Sequence, residues 1–345
     1  MERVLKNMLK ATEGRFGRIA RVVISIALVT WLVTHIGIDE IVHTTSGADI
    51  GWLALAILAL VPAVMLRSLT LQVLTNKDGW LLSFRQAGAI TLVGMSSALF
   101  LPPGVADLAR AHIAYRALGK PERIVSASML ERMISLLGLL VLGAVASLLA
   151  NEPLLASASA GAALVMLTLI TFPRLIPWRW VVKFLSAGAE LDAPQLMAAT
   201  RVPRAILLTA LASTTLGWVA SATITYFVCL SLGIELGFAF VALATILTAI
   251  SRLLPVSAAG IGVGELTLSY LLIRGGTTPE QAAGVALLTL VFGLILPGLI
   301  GLFVTVSASE NERTQHHTAQ GLTPTPVYAK ATVTPDSSPR EVPGA

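Results

Sequence analysis

The chain has 345 residues, of which 55% are apolar and only 12% charged, and its mean hydropathy is +0.81. Soluble domains average about 25% charged residues, so the composition excludes an ordinary water-soluble globular protein. The net charge of +5 is spread over short segments between apolar runs, which sets orientation rather than binding nucleic acid, and the single cysteine, Cys229, rules out an intrachain disulfide or a cysteine-cluster metal site.

Six stretches are long enough to cross the roughly 30 Å hydrocarbon layer as helices: residues 19–38, 50–74, 124–150, 154–172, 205–232 and 282–306. Backbone groups in lipid must be satisfied internally, so the predicted class is an all-α integral membrane protein, a helical bundle of about six full spans. Residues 1–18 carry Lys6, Lys10, Arg15 and Arg18 and read as a basic cytoplasmic N-terminus. No small-residue cleavage site follows His35–Ile36–Gly37, which makes the first stretch a retained span rather than a signal peptide. Beyond it come Asp39, Glu40 and Asp49 without Lys or Arg, so the N-terminus is expected inside. The second span returns near Lys77 and Arg85. Residues 86–101 stop at Pro102–Pro103–Gly104 and lead into Arg110, Arg116, Lys120 and Arg123. With both flanks basic, this piece reads as a re-entrant hairpin that enters from the cytoplasm, breaks at the prolines and returns.

Residues 124–150 then cross outward to Asn151–Glu152–Pro153, and 154–172 return. The loop from Pro173 to Arg204 holds Arg174, Arg179, Lys183 and Arg201 and belongs inside, with an interfacial piece around Trp178 and Trp180. Residues 205–232 cross outward to Glu235. A second interrupted hairpin, 237–273, enters from outside and breaks at Pro255, and the last span returns to the cytoplasm. Residues 307–345, rich in Thr, Pro and Ser, are expected to form a disordered cytoplasmic tail, in which His316–His317 is too short a signal for a metal site. The expected location is the cytoplasmic (inner) membrane, with multiple passes and both termini cytoplasmic.

A polar phrase recurs along this plan: Asp107, Arg116, Pro121 and Glu122 superpose with one constant offset on Glu265, Arg274, Pro279 and Glu280, and a Leu-Pro pair precedes each copy. Repeat one, about 86–150, holds a hairpin from the inside and an outward span; repeat two, about 237–306, holds a hairpin from the outside and an inward span. The transmembrane domain, 19–306, therefore reads as an inverted repeat with two re-entrant broken hairpins, a recurring plan of secondary transporters.

Ionisable residues within the membrane cost at least ~2.5 kcal/mol each at a helix centre, so none is expected to face lipid. Asp107 and Arg110 sit three apart and can share a helix face; a structural ion pair and a substrate role stand equally. Glu265 follows Gly260, Gly262 and Gly264, which permit a tight turn, and falls in the first turn of a helix. There it either caps that helix or exchanges a proton or pairs with a cationic group as the hairpin moves. Arg252, in the other arm, either pairs with Glu265 or binds a phosphate. Glu131 and Arg132 lie on one helix but not on one face. The hinge candidates are Pro102, Pro103, Gly104, Pro255, Gly260, Gly262 and Gly264. No cofactor or metal site is expected.

The run from Leu101–Pro102 through Asp107 and Arg110, then Glu131–Arg132, then Leu254–Pro255–Val256–Ser257–Ala258–Ala259–Gly260–Ile261–Gly262–Val263 and Glu265 resembles the lysylphosphatidylglycerol synthetase transmembrane region family, also seen as flippase-like membrane proteins. The resemblance covers roughly residues 19 to 306 and implies translocation of a phospholipid or polyisoprenyl-phosphate-linked lipid. On that resemblance Arg110, Arg132 and Glu265 fall on recurring polar positions. The chain departs at Asp107, where the family usually has Glu; at Ala259, often Gly; at Ser135, commonly an acid; and at Leu290, often Arg. The family's soluble aminoacyl-transferring domain is not expected here.

The expected function is a lipid flippase or transporter acting on an anionic lipid, not an enzyme, with membrane lipids as partners. The alternative is a non-transporting accessory that stabilises a lipid-synthesis or glycosyltransferase protein. An intramembrane enzyme lacks a catalytic constellation.

Overall fold

The computed structural model describes residues 15–77, 79, 82–100, 121–176, 202–254, 257 and 260–304. Among these residues the α-helices are, in order, α1 Arg15–Ile36, α2 Ile38–Ser46, α3 Ile50–Asn76, α4 Phe84–Phe100, α5 Pro121–Leu149, α6 Pro153–Thr171, α7 Arg204–Ser231, α8 Phe238–Ser251, α9 Val263–Arg274 and α10 Pro279–Leu290. A short 3₁₀ turn, Pro173–Leu175, follows α6. Helix α10 passes through a π turn, Val291–Ile295, into a helical stretch at 296–304. No strand occurs among the described residues.

Local chemistry sets the helix starts. Asp49 caps α3 by accepting a 2.7 Å bond from Gly51 N. Thr278 caps α10 and Gln281 closes the reciprocal bond, with Pro279 at the first helical position, where its missing N–H costs nothing. Asn151, with φ of 60°, makes the sharp turn between α5 and α6.

Five helices are long and apolar enough to cross a membrane among the described residues: α3, residues 127–149 of α5, α6, α7 and Pro279–Val304. These match five of the six expected spans. The sixth, 19–38, is helical, but its described apolar part is only Val23–Leu32. Helix α6 presents Leu164 (65% exposed) and Val165 (62%) to its surroundings, a surface suited to lipid rather than water.

Lipid offers helices no hydrophobic reason to associate, so close backbone approach and interhelical hydrogen bonds must hold them. Helix α3 packs most extensively on α7, where Thr70 Oγ1 and Ser213 Oγ share a buried 2.8 Å bond. Asp49 N donates to Ser231 O at 2.8 Å, joining the start of α3 to the end of α7. Trp218 Nε1 of α7 donates to Ser135 O of α5 at 3.0 Å. Beside it, a Cβ on Gly138 would stand 2.6 Å from Thr214 Cγ2, so only glycine lets α5 and α7 come this close. The main core draws on α3, α7, α8, α9 and α10, with Leu268, Leu272, Val228 and Val241 fully buried.

Helices α8 and α9 pack on each other and are joined by the break at 252–262. Their 14 and 12 residues correspond to roughly 21 and 18 Å at 1.5 Å per residue, short of a 30 Å crossing. That is the expected geometry of the second hairpin. Of the first expected hairpin only residues 86–100 are described, as part of α4; Pro102, Pro103, Gly104, Asp107, Arg110, Arg116 and Lys120 lie outside the described residues, as do Trp178, Trp180 and the tail.

Two elements differ from the sequence reading. The acidic segment after α1 forms helix α2, packed against α10. The last span is not a regular helix: Leu296 N bonds to Val291 O, five residues back. Pro297 follows directly and has no N–H to donate, and its ring crowds the carbonyl four residues earlier. The ladder therefore shifts to the wider π spacing, against which α3, α4 and α7 pack.

Candidate functional site

The break between α8 and α9 holds a salt bridge, Arg252 Nη2 to Glu265 Oε1 at 2.8 Å. Glu265 is completely buried, whereas the Arg252 side chain is 25% exposed. Position in sequence explains the meeting. Arg252 ends the first arm as the C-cap of α8, and Glu265 is the third residue of α9, so a tight reversal brings them together.

Three glycines make that reversal possible, each for its own reason. Gly260 adopts φ of +74° and Gly262 φ of +91°, left-handed values that cost roughly 1–2 kcal/mol per residue with a side chain. A Cβ on Gly260 would also stand 2.5 Å from Arg252 Cβ and 2.8 Å from its Cα. Gly264 is helical, but a Cβ there would overlap Arg252 Nε and lie 2.9 Å from its Cγ. The Arg252 stem thus runs through a cradle whose walls are the bare backbone of Gly260 and Gly264. At Gly262 the neighbour is α1, since a Cβ would stand 2.6 Å from Leu28 Cβ and 3.3 Å from Ser25 O.

Glu265 caps α9 and pairs with Arg252 at the same time. Its Oε2 accepts from Gly262 N at 2.5 Å, which caps α9, while Oε1 holds Arg252. The cap is one-sided, because glycine has no side chain to return the bond. One carboxylate therefore ties the helix start to the opposite arm.

Two polar groups in the same break have no hydrogen-bond partner among the described residues: Arg252 Nε and Ser257 Oγ, both buried. Buried donors without partners are uncommon and call for a reason. Sequence reading assigned no role to Ser257, nor to Ser25 and Leu28 of α1. Ser257 stands inside the Leu-Pro-Val-Ser phrase, a signal that was available; nothing local ties residues 25 and 28 to a loop so distant in sequence.

Of the remaining predicted site residues, Glu131 is buried on α5 and its neighbour Arg132 is exposed, which bears out their expected separation onto different faces. Both have interaction partners. Helix α5 packs on α8 and so lies beside the hairpin. Pro255, Asp107 and Arg110 fall outside the described residues. No group of three His, Cys, Asp or Glu among the described residues is arranged to hold a metal ion.

The cradle gives a graded expectation. Gly264→Ala meets mobile outer atoms of Arg252, which can swing aside; Gly260→Ala meets its Cβ and Cα and strains the backbone as well. Thermal unfolding in detergent should show Gly260→Ala destabilised by about 2–4 kcal/mol and Gly264→Ala by about 1–2. Equal loss in both would remove the cradle as the explanation.

A family model described as the lysylphosphatidylglycerol synthase TM region matches residues 18–301, well over half of the chain. That region is the non-catalytic membrane part of such synthases. Among curated proteins no match is found. The match runs through the helical bundle and the whole Arg252–Glu265 hairpin, and the chain belongs to the lysylphosphatidylglycerol synthase TM-region family.

Proposed function

We propose that this membrane protein is a lipid flippase or transporter that moves an anionic phospholipid or polyisoprenyl-phosphate-linked lipid across the cytoplasmic membrane. The observation that carries the reading is the Arg252 guanidinium: one nitrogen is held by the buried Glu265, while its Nε, like Ser257 Oγ of the same break, is buried with no hydrogen-bond partner among the described residues. A phosphate oxygen supplies the acceptor that both donors lack, and Arg is suited to bind it in a fork. The arms of the hairpin stop short of a full crossing, so this chemistry sits within the membrane, where an ionisable group is by default a functional candidate.

In this mechanism an anionic headgroup competes with Glu265 for Arg252. Displacing the carboxylate loosens its hold on Gly262 N, and the cap and the arm-to-arm bond weaken together. Binding is thereby coupled to the hairpin's geometry. The reading includes an inverted partner hairpin at 86–120, with Asp107 and Arg110 in the equivalent place, repeats at 86–150 and 237–306, and both termini cytoplasmic. The π turn in the last span supplies a second irregular point next to α4, the arm of that first hairpin.

The test is translocation of headgroup-labelled phosphatidylglycerol in proteoliposomes. Glu265→Gln and Arg252→Met should each slow translocation by about tenfold or more, while both variants remain folded and monodisperse. Well-folded wild-type protein that moves no anionic lipid would sink the reading. Stable capture of a lipid-synthesis or glycosyltransferase protein would then favour an accessory role.

A further inference from the structure

A cavity of about 580 Å³ lies between the end of α6 and the start of α7, and no residue of the Arg252–Glu265 hairpin lines it. Its volume falls within the roughly 300–1,000 Å³ of small-molecule sites. Ile170, Phe172, Leu207 and Leu208 provide apolar walls, and Arg174 and Arg204 stand at its edge. Phe172 (60%) and Leu208 (66%) are exposed, as are both arginines. The described lining residues include no carboxylate.

Position narrows what such a groove can hold. Helix α6 has 19 residues, roughly 28 Å at 1.5 Å per residue, so its ends reach the two headgroup layers of a bilayer with a roughly 30 Å core. The arginines therefore sit at headgroup depth and the apolar walls run from there toward the acyl chains. A soluble anion would use the arginines but leave the walls facing lipid; a zwitterionic lipid would fill the walls but bring no net charge to the arginines.

We infer that this groove binds one anionic phospholipid, its phosphate at Arg174 and Arg204 and an acyl chain along Ile170, Phe172, Leu207 and Leu208. Two basic contacts to an anionic headgroup favour it over a zwitterionic lipid by roughly tenfold to thirtyfold. The occupant is a resident lipid at the protein's edge, distinct from whatever engages Arg252.

The experiment is native mass spectrometry of the full-length, delipidated protein with added dioleoylphosphatidylglycerol or dioleoylphosphatidylcholine. Wild type should retain one phosphatidylglycerol preferentially. Arg174→Ala with Arg204→Ala should erase the preference, and Leu208→Trp, which fills the groove and leaves the charges in place, should lower retention of phosphatidylglycerol. Equal retention of the two lipids by wild type would overturn the inference, as would a preference unchanged in both variants. Selective retention that emerges only after residues 177–201 are deleted would also overturn it, because the groove would then belong to the chain itself. Retention, not translocation, is the readout, so this site stands or falls apart from the transport reading.

Discussion

Arg252→Met should destabilise the protein more than Glu265→Gln, although the two residues form one ion pair. The asymmetry follows from burial. Glu265 is completely enclosed and Arg252 is one quarter exposed. Removing the guanidinium leaves a carboxylate in the interior with, among the described residues, the Gly262 N–H alone to stabilise it, an uncompensated buried charge that costs about 3 kcal/mol or more. Removing the carboxylate's charge leaves a guanidinium that is not enclosed by the protein, and glutamine's amide oxygen can keep either the cap or the contact to Arg252. That loss should be about 1–2 kcal/mol, the scale of a charge-assisted hydrogen bond. The double variant Arg252→Met with Glu265→Gln should be more stable than the two separate losses predict, because it strands no charge. Thermal unfolding of all four proteins in one detergent gives the cycle. Strict additivity would mean that the pair is not coupled, and the proposed competition for Arg252 would lose its basis.

The second large effect is expected at Gly301 of the last span. A Cβ there would overlap the carbonyl oxygen of Leu92 and stand 2.5 Å from its carbonyl carbon, so the last span and α4 touch backbone to backbone. No rotamer relieves a clash with a main-chain atom, and Gly301→Ala must push the helices apart, at a cost of about 3 kcal/mol or more. Gly298, one turn earlier, provides the control. A Cβ there would meet Leu99 Cγ at 2.7 Å, a side-chain contact, so Leu99→Ala should largely restore Gly298→Ala. No substitution at Leu92 should restore Gly301→Ala. A Gly301→Ala protein that melts with wild type would show that α4 is not held at this distance.

That contact joins two segments that the sequence alone leaves separate, helix α4 and the final span. Reading each segment by length and polarity was sufficient to place α3, α5, α6, α7 and the closing span, because the hydrocarbon layer imposes one length and one polarity on any crossing helix. The same logic marked α8 and α9 as broken arms, since Pro255 and the glycines interrupt an apolar run. It passed over the π turn although Pro297 is plain in the sequence: proline in a membrane helix yields a kink, a π turn or neither, according to what packs beside it. It also missed α2, whose Asp39 and Glu40 were weighed as charges rather than as favourable first-turn residues.

The candidate site divides along the same line. Composition and spacing by themselves determined an α-helical membrane bundle, a hairpin broken near Pro255, and Arg252 and Glu265 as its ionisable residues. These are properties of short stretches, set by solvent and by backbone conformation. Only the tertiary structure decided that Glu265 caps α9 and holds Arg252 at once, that Gly264 is required for room rather than for conformation, and that α1 closes over Gly262. Each of those depends on which atoms stand within a few ångströms of one another across elements distant in the chain, and in lipid such approaches are settled by the fit of small residues and a few polar contacts, which no single segment contains.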